Sequence, residues 1–371
     1  MKQNLIRKVA TVATLATAGV VLASCGGTSE ENNVINIQFV PSRDGGDLAT
    51  LASQLEPVLK KYEPNYTFKI NTGTSYAATT EALLSDQVDV GFLTASGYAE
   101  ATLKHPGKIE VALTAVRKGY QVQTDYSTVA DQMKAMNGEM TLADGSIYEY
   151  LGQQSTEDVD YYTSMLVVRE EKYKDWNGDG VIDIHDMAGL TIGRQGQTSG
   201  AGYLRPLKYL NDNGMEMVDE LDSSKNNQIK GIYVKGYDVA LSQMLSGNID
   251  GFWEFTDVRY ANAYNKEGNE YYHNSEIFKN SKVIAITDKI YNDTISFRSN
   301  LSDAKKAAVK NAFLKAVNDG ADLDKNSSDY KSSGAYLLYA VYSHTGYTIA
   351  KDSDFEGERQ FYQYLVDHNL L

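Results

Sequence analysis

Leu190-Thr191-Ile192-Gly193-Arg194-Gln195-Gly196-Gln197-Thr198-Ser199-Gly200-Ala201-Gly202-Tyr203-Leu204, continued by Arg205-Pro206-Leu207-Lys208-Tyr209-Leu210, is the stretch that decides how the chain is read. Leu190 and Ile192 end a short strand, the polar run from Arg194 to Ser199 turns, and Tyr203, Leu207 and Leu210 recur at helical spacing. In that order of strand, loop and helix, the first helical turn holds N–H groups without intrahelical partners and the positive end of the peptide dipoles. Such a turn favours an anion. Thr198 and Ser199 add hydroxyl donors, and Gly200 and Gly202 carry no Cβ to keep a ligand off the main chain. An ordinary helix capped by Thr198 or Ser199 accounts for the same residues.

The pattern extends in both directions. Val34 to Val40 alternates and is rich in β-branched residues, as a strand requires, and Pro41-Ser42-Arg43-Asp44-Gly45-Gly46 breaks it. Leu48, Leu51, Leu55, Val58 and Leu59 then fall on one helical face. A strand from Tyr66, a helix from Tyr76 to Leu84 and a strand from Val88 to Leu93 repeat the alternation, as do Ile229 to Val234, Tyr237 to Leu245 and Ile249 to Phe255. This pace predicts an α/β protein built on doubly wound, mostly parallel sheets. Ligands on such sheets bind at the carboxyl ends of the strands, here the loops at Ser42, Gly73 to Tyr76, and Thr94 to Tyr98.

With 371 residues, the chain is long enough for two domains. Its formal net charge of −14 and its lack of a basic tract exclude a nucleic-acid partner. Lys2, Arg7 and Lys8 precede an apolar run from Val9 to Val21 that is too short to span a bilayer comfortably, so residues 1–24 read as a signal peptide. Cys25 is the only cysteine and cannot form an internal disulfide. Leu22-Ala23-Ser24-Cys25 resembles the lipobox of bacterial lipoproteins. That resemblance implies acylation at Cys25 and anchoring to the outer face of the cell membrane. Residues 25–33 are small and polar and read as a flexible tether.

Asp175-Trp176-Asn177-Gly178-Asp179-Gly180-Val181-Ile182-Asp183-Ile184-His185-Asp186 places oxygen-bearing side chains at positions 1, 3, 5, 9 and 12, with glycine at 6. This is the spacing of an EF-hand-like calcium loop, with Asp175, Asn177, Asp179, the Val181 carbonyl, Asp183 and Asp186 as ligands of a structural Ca²⁺. Asp186 stands where glutamate is usual. A metal-free Asp/Asn/Gly turn is the alternative.

Several segments together resemble the phosphate/phosphonate-binding lipoproteins of ABC importers. They are Phe39-Val40-Pro41-Ser42-Arg43-Asp44, Ser75-Tyr76-Ala77, Val88-Asp89-Val90-Gly91-Phe92 with Ser96-Gly97-Tyr98, Tyr162 to Arg169, Thr198-Ser199-Gly200, Gly236 to Leu241, Gly247 to Gly251, and Asn292-Asp293. The resemblance implies two α/β lobes of the periplasmic-binding-protein type, joined by extended hinge strands and closing around a small ligand. It implies a monomer that delivers a small oxyanion to a membrane permease and has no catalytic residues. The first lobe would occupy 34–117, an insertion 118–160, the second lobe 161–284, and the return to the first lobe 285–371. Carried over by motif, Gln197, Thr198 and Ser199 would hold the oxyanion, with Tyr76 and Tyr162 donating from across the cleft. Asp257 and Asp293 would hold an amine, which points to an aminoalkyl phosphonate; against this, Trp253 and Phe255 would shape the pocket for something bulkier, and Asp257 as a helix cap with Asp293 as a turn former is the alternative.

The tyrosine-rich segment Tyr120 to Asp160 departs from the family pattern and reads as a folded insertion, since a solvated linker would lack aromatic residues; a surface excursion is the favoured role and a cover over the cleft mouth the alternative. Two other function classes remain. A calcium-stabilised surface hydrolase would use Ser199 as nucleophile, but no Gly-x-Ser-x-Gly elbow surrounds it and the five histidines form no constellation with it. A calcium-dependent adhesion or scaffolding module would rest on the 175–186 loop and the tyrosines alone.

Overall fold

A computed structural model describes residues 33–41, 45–263 and 275–371. The expected signal peptide, Cys25, nearly all of the tether and Ser42 lie outside the described residues. Among the described residues, no helix is long and apolar enough to cross a membrane.

Thirteen strands are described: β1 (Val34–Phe39), β2 (Thr67–Thr72), β3 (Val90–Leu93), β4 (Ile109–Tyr120), β5 (Gln154–Val159), β6 (Tyr161–Arg169), β7 (Thr191–Arg194), β8 (Glu216–Val218), β9 (Gln228–Tyr233), β10 (Gly251–Phe255), β11 (Ser281–Tyr291), β12 (Thr294–Arg298) and β13 (Gly346–Ile349). They form two sheets. The first has the order β13-β4-β12-β3-β1-β2, with β5 paired to β4, and the second the order β11-β6-β10-β7-β9-β8. Within each sheet the β-α-β units give parallel pairs (β1 with β2 and β3; β7 with β9 and β10; β8 with β9), and the strands arriving from the other half run antiparallel. The two-lobed α/β architecture is therefore present.

Side-chain alternation places the cores. Along β6, Met165 and Val167 point into one apolar cluster of the second lobe while Leu166 and Val168 point into another on the opposite face. Phe252 and Trp253 of β10 divide in the same way. Trp253 is fully buried against Tyr209 and has no part in the cleft, contrary to expectation. In the first lobe, Ile35, Ile37 and Phe39 alternate into a core shared with the helices Gly45–Tyr62 and Asp303–Ala316.

The chain passes between the sheets at Asp160 and again at Asn292–Asp293, where the Asn292 N–H donates to the Asp160 carbonyl at 2.9 Å. β11 belongs wholly to the second sheet, so the return falls at Asn292–Asp293 rather than at 285.

The segment 118–160 does not stand off the surface. Val122, Ala135, Met136, Tyr150 and Leu151 are buried in the second-lobe cluster. The Asn137 side chain donates to the Val283 carbonyl (2.9 Å) and accepts from the Val283 N–H (2.7 Å). β11 is the edge strand of its sheet, so these bonds satisfy backbone groups that an open edge would leave available for another strand.

The C-terminal helix Glu356–Asp367 touches both lobes. Glu358 accepts from Ser96 Oγ in the first lobe (3.1 Å) and pairs with Arg205 of the second (2.5 Å), while Phe361 and Leu365 pack on Leu204 and Leu207.

Candidate functional site

Four helices begin around one small space between the lobes. Ser75 caps the helix Tyr76–Leu84, and Thr94 caps Ala95–Lys104 through a bond from the Gly97 N–H to Thr94 Oγ (3.0 Å). Ser199 caps the wide turn Gly200–Leu204, which runs into the helix Arg205–Asp212, and Tyr237 is the first residue of Tyr237–Leu245. Tyr76, Thr94, Ser199 and Tyr237 all line the space, so hydroxyls and helix starts converge on it from both lobes. Ser199 is 1% exposed; its Oγ accepts the Gly202 N–H (3.1 Å) and lies 3.1 Å from the Tyr237 hydroxyl.

The walls come from the crossings between the lobes. Arg117, near the end of β4, places its guanidinium 4.9 Å from the Tyr162 ring centre and 5.9 Å from that of Phe255. It pairs with Asp293, which also lies 3.4 Å from His344 Nε2. The buried Arg117 Nε has no hydrogen-bond partner. A buried donor without an acceptor is costly, and Arg169 and Arg205, which do not line this space, each have an unpaired Nε as well.

Protonation states favour donation. Burial, with Asp293 nearby, pushes the phenols of Tyr76, Tyr162, Tyr237 and Tyr342 upward, so they keep their protons. Burial opposes the charge on Asp293, but the Arg117 guanidinium and a hydrogen bond with His344 hold its carboxyl below the ordinary value. Burial pushes His344 down to about 4, so the ring is neutral at pH 7. The charged pair Arg117–Asp293 sums to zero, and the remaining donors are neutral. The space measures about 40 Å³. One water needs about 10–15 Å³ on this kind of measure, so the site admits a compact polyatomic group.

Of the expected ligand residues, Tyr76, Tyr162, Ser199 and Asp293 are brought together here. Gln197 and Thr198 line an adjoining cavity of about 180 Å³ that shares Tyr76. Asp257 is not available to an amine. Its side chain is fully buried and meets Arg259 Nη2 at 2.8 Å and Nε at 3.1 and 3.2 Å, and the Tyr150 hydroxyl donates to it at 2.9 Å. Asp293 is likewise already matched by Arg117, so neither carboxylate offers an ammonium an uncompensated charge. Gly202 is not open to a ligand either, because a Cβ there would meet Gln195 Cγ at 2.4 Å. Arg117, Tyr237 and Tyr342 were not picked out from the sequence, and Thr94 was expected only as part of the loop to Tyr98. Thr94 could have been found as a cap at a strand end, but Arg117 gave no local signal.

In the 175–186 loop, Asp175 accepts from the N–H groups of Gly178 and Gly180, Asn177 from Asp179, and Asp179 from Val181. Asp186 accepts from Trp176, Asn177 and Asp183, and Asp183 from His185. Gly180 has φ +87°, the left-handed turn the glycine position calls for. Among the described residues, no three His, Cys, Asp or Glu side chains are gathered as a metal site. The donor set is nonetheless chemically suited to a hard cation, with oxygens only and no thiolate or imidazole required.

Comparison with known proteins gives a consistent result. The family model described as the periplasmic substrate-binding protein of phosphonate ABC transporters matches residues 37–355. The fold is similar to a binding-protein component of an ABC phosphonate transporter from Pseudomonas aeruginosa (17% identity, 90% of this chain and 87% of the other, TM-score 0.58). It is similar also to PhnD1 from Prochlorococcus marinus, solved in complex with methylphosphonate (13% identity, 90% and 99%, TM-score 0.58). No curated protein matches by sequence.

Proposed function

We propose, from the premise that this chain belongs to the family of phosphonate periplasmic substrate-binding proteins of ABC transporters, that it captures a small phosphonate-type oxyanion in the 40 Å³ interlobe space. Members of this family are transport receptors and not enzymes. They work outside the cytoplasm, handing an anion to a membrane permease.

One observation carries the ligand reading: four helix starts and their hydroxyls converge beside an arginine whose Nε has no partner. A tetrahedral oxyanion has enough acceptor sites for Tyr76, Thr94, Tyr162, Ser199, Tyr237 and Arg117 to share. Neutral hydroxyl donors add no permanent charge, which keeps release possible. The methylphosphonate held by the Prochlorococcus protein supports the same ligand class here.

The test is calorimetric titration with methylphosphonate and inorganic phosphate. Ser199→Ala is expected to weaken binding by about 1–3 kcal/mol, the size of a hydrogen bond to a charged group. Unchanged affinity would place the anion elsewhere. Since Ser199 is also a helix cap, the melting temperature of the variant is read separately.

We further propose that the chain is a lipoprotein held by acyl chains on Cys25, and that the 175–186 loop takes a structural Ca²⁺. The lipobox-like Leu22-Ala23-Ser24-Cys25 supports the first reading, and the twelve-residue oxygen spacing with Gly180 supports the second. Metabolic labelling with a palmitate analogue should mark the native chain and not Cys25→Ala. Equal labelling of both would reject the anchor.

A further inference from the structure

The space for the anion does not end at its own walls. Arg117, Tyr162 and Phe255 also line a narrow neck of about 20 Å³, whose far side is formed by Lys118, Tyr120, Gln154 and Ser343. Phe255, Lys118, Tyr120, Gln154 and Ser343 in turn line a chamber of about 600 Å³. The three spaces therefore adjoin in sequence through shared wall residues: the compact anion pocket, the small space between, and a chamber fifteen times larger than the first.

The two volumes suit different parts of one molecule. Pockets that enclose drug-sized ligands measure about 300–1,000 Å³, a range that includes the chamber and excludes the anion pocket. Six aromatic rings line the chamber: Tyr120, Tyr260, Tyr330, Tyr336, Tyr339 and Phe255. They come from both lobes, with Tyr330, Tyr336 and Tyr339 on the helices Ser328–Lys331 and Gly334–Tyr342, and Tyr260 on Val258–Ala263. Rings arranged edge to face, such as Tyr330 with Tyr336 at 5.6 Å, offer faces and edges to a planar group and hydroxyls at the rim. The charges do not suit a cation. Lys325 and Lys118 line the chamber, Lys118 being paired with Asp158 at 2.7 Å, and the one acid there among the described residues, Asp257, is neutralised by Arg259. Tyr120 and Gln154 belong to the 118–160 segment, so the part of the chain that departs from the family pattern helps build this wall.

We infer that the ligand is an organophosphonate or phosphate monoester bearing a planar, uncharged ring system. Its oxyanion would sit among the helix starts, its linking atoms in the neck, and its rings in the tyrosine chamber. This rests on the oxyanion reading above.

Titration calorimetry with methylphosphonate and with 1-naphthylmethylphosphonate tests it on the full chain. The naphthyl compound is expected to bind at least tenfold more tightly. Ala335→Trp, which fills the chamber from the Gly334–Tyr342 helix, should erase that gain and leave methylphosphonate within twofold. Tyr336→Ala, which removes one ring and adds no bulk, should cost the naphthyl compound about tenfold and spare methylphosphonate. If methylphosphonate binds and the naphthyl compound binds no better, or if its advantage survives in both variants, the chamber inference is wrong and the oxyanion reading stands. If neither compound binds the native chain, the oxyanion reading itself fails and the inference falls with it.

Discussion

Replacing Arg117 with methionine is expected to lower methylphosphonate affinity at least a hundredfold. Among the described residues, Arg117 brings the one positive charge to the wall of the anion space and an Nε donor with no partner. Charge-assisted bonds of this kind are roughly twice as strong as neutral ones. The same change leaves Asp293 buried beside a neutral His344, and removing one member of a buried pair costs about 3–5 kcal/mol of stability. The loss of affinity must therefore be read below the lowered melting temperature. Asp293→Asn is the informative partner variant. It keeps the shape, frees the guanidinium from its counter-charge and should strengthen plain oxyanion binding. If Asp293 instead held a ligand amine, the same variant would weaken 2-aminoethylphosphonate selectively. Native affinity in Arg117→Met would remove the arginine from the site altogether.

Calcium at saturation is expected to raise the melting temperature by several degrees over the same sample in EDTA. A ligand that binds only the native state at a hundred times its dissociation constant stabilises by about 2.7 kcal/mol. Loading would also relieve repulsion among Asp175, Asp179, Asp183 and Asp186, which share one twelve-residue loop of a chain with net charge −14. Asp175→Asn with Asp186→Asn should abolish the shift and leave phosphonate binding intact, because the loop contributes no residue to the interlobe spaces. A shift that persists in that double variant would assign the cation to another place, and no shift at millimolar Ca²⁺ would end the proposal.

What could be read from the sequence was what local chemistry determines. Ser199 was recognisable because a cap, a small-residue turn and a helical apolar period all lie within a few residues of each other, and Tyr76 through the family resemblance of Ser75-Tyr76-Ala77. The doubly wound α/β class followed from the alternation of such units, and the division into two lobes from the resemblance to the binding-protein family. Arg117 was not recognisable, because its partner Asp293 is 176 residues away and only the folded chain shows that β4 ends where β12 begins. Asp257 was misjudged for a different reason. Its counter-ion Arg259 is two residues along, but sequence spacing cannot say whether both side chains turn into the lobe or one turns into the cleft. The 118–160 segment gave its aromatic content away and concealed its use, since covering β11 with Asn137 depends on a strand more than a hundred residues later.

The passages at Asp160 and Asn292–Asp293 have a mechanical corollary. Tyr162 and Asp293 stand beside these joints, and Arg117 is fixed to Asp293, whereas Tyr76 and Ser199 ride on opposite bodies away from them. Were the halves to swing about these two passages, the groups nearest them would travel least. A guest in the proposed site would then part from Tyr76 or Ser199, which belong to opposite lobes, before it parts from Tyr162 and Arg117.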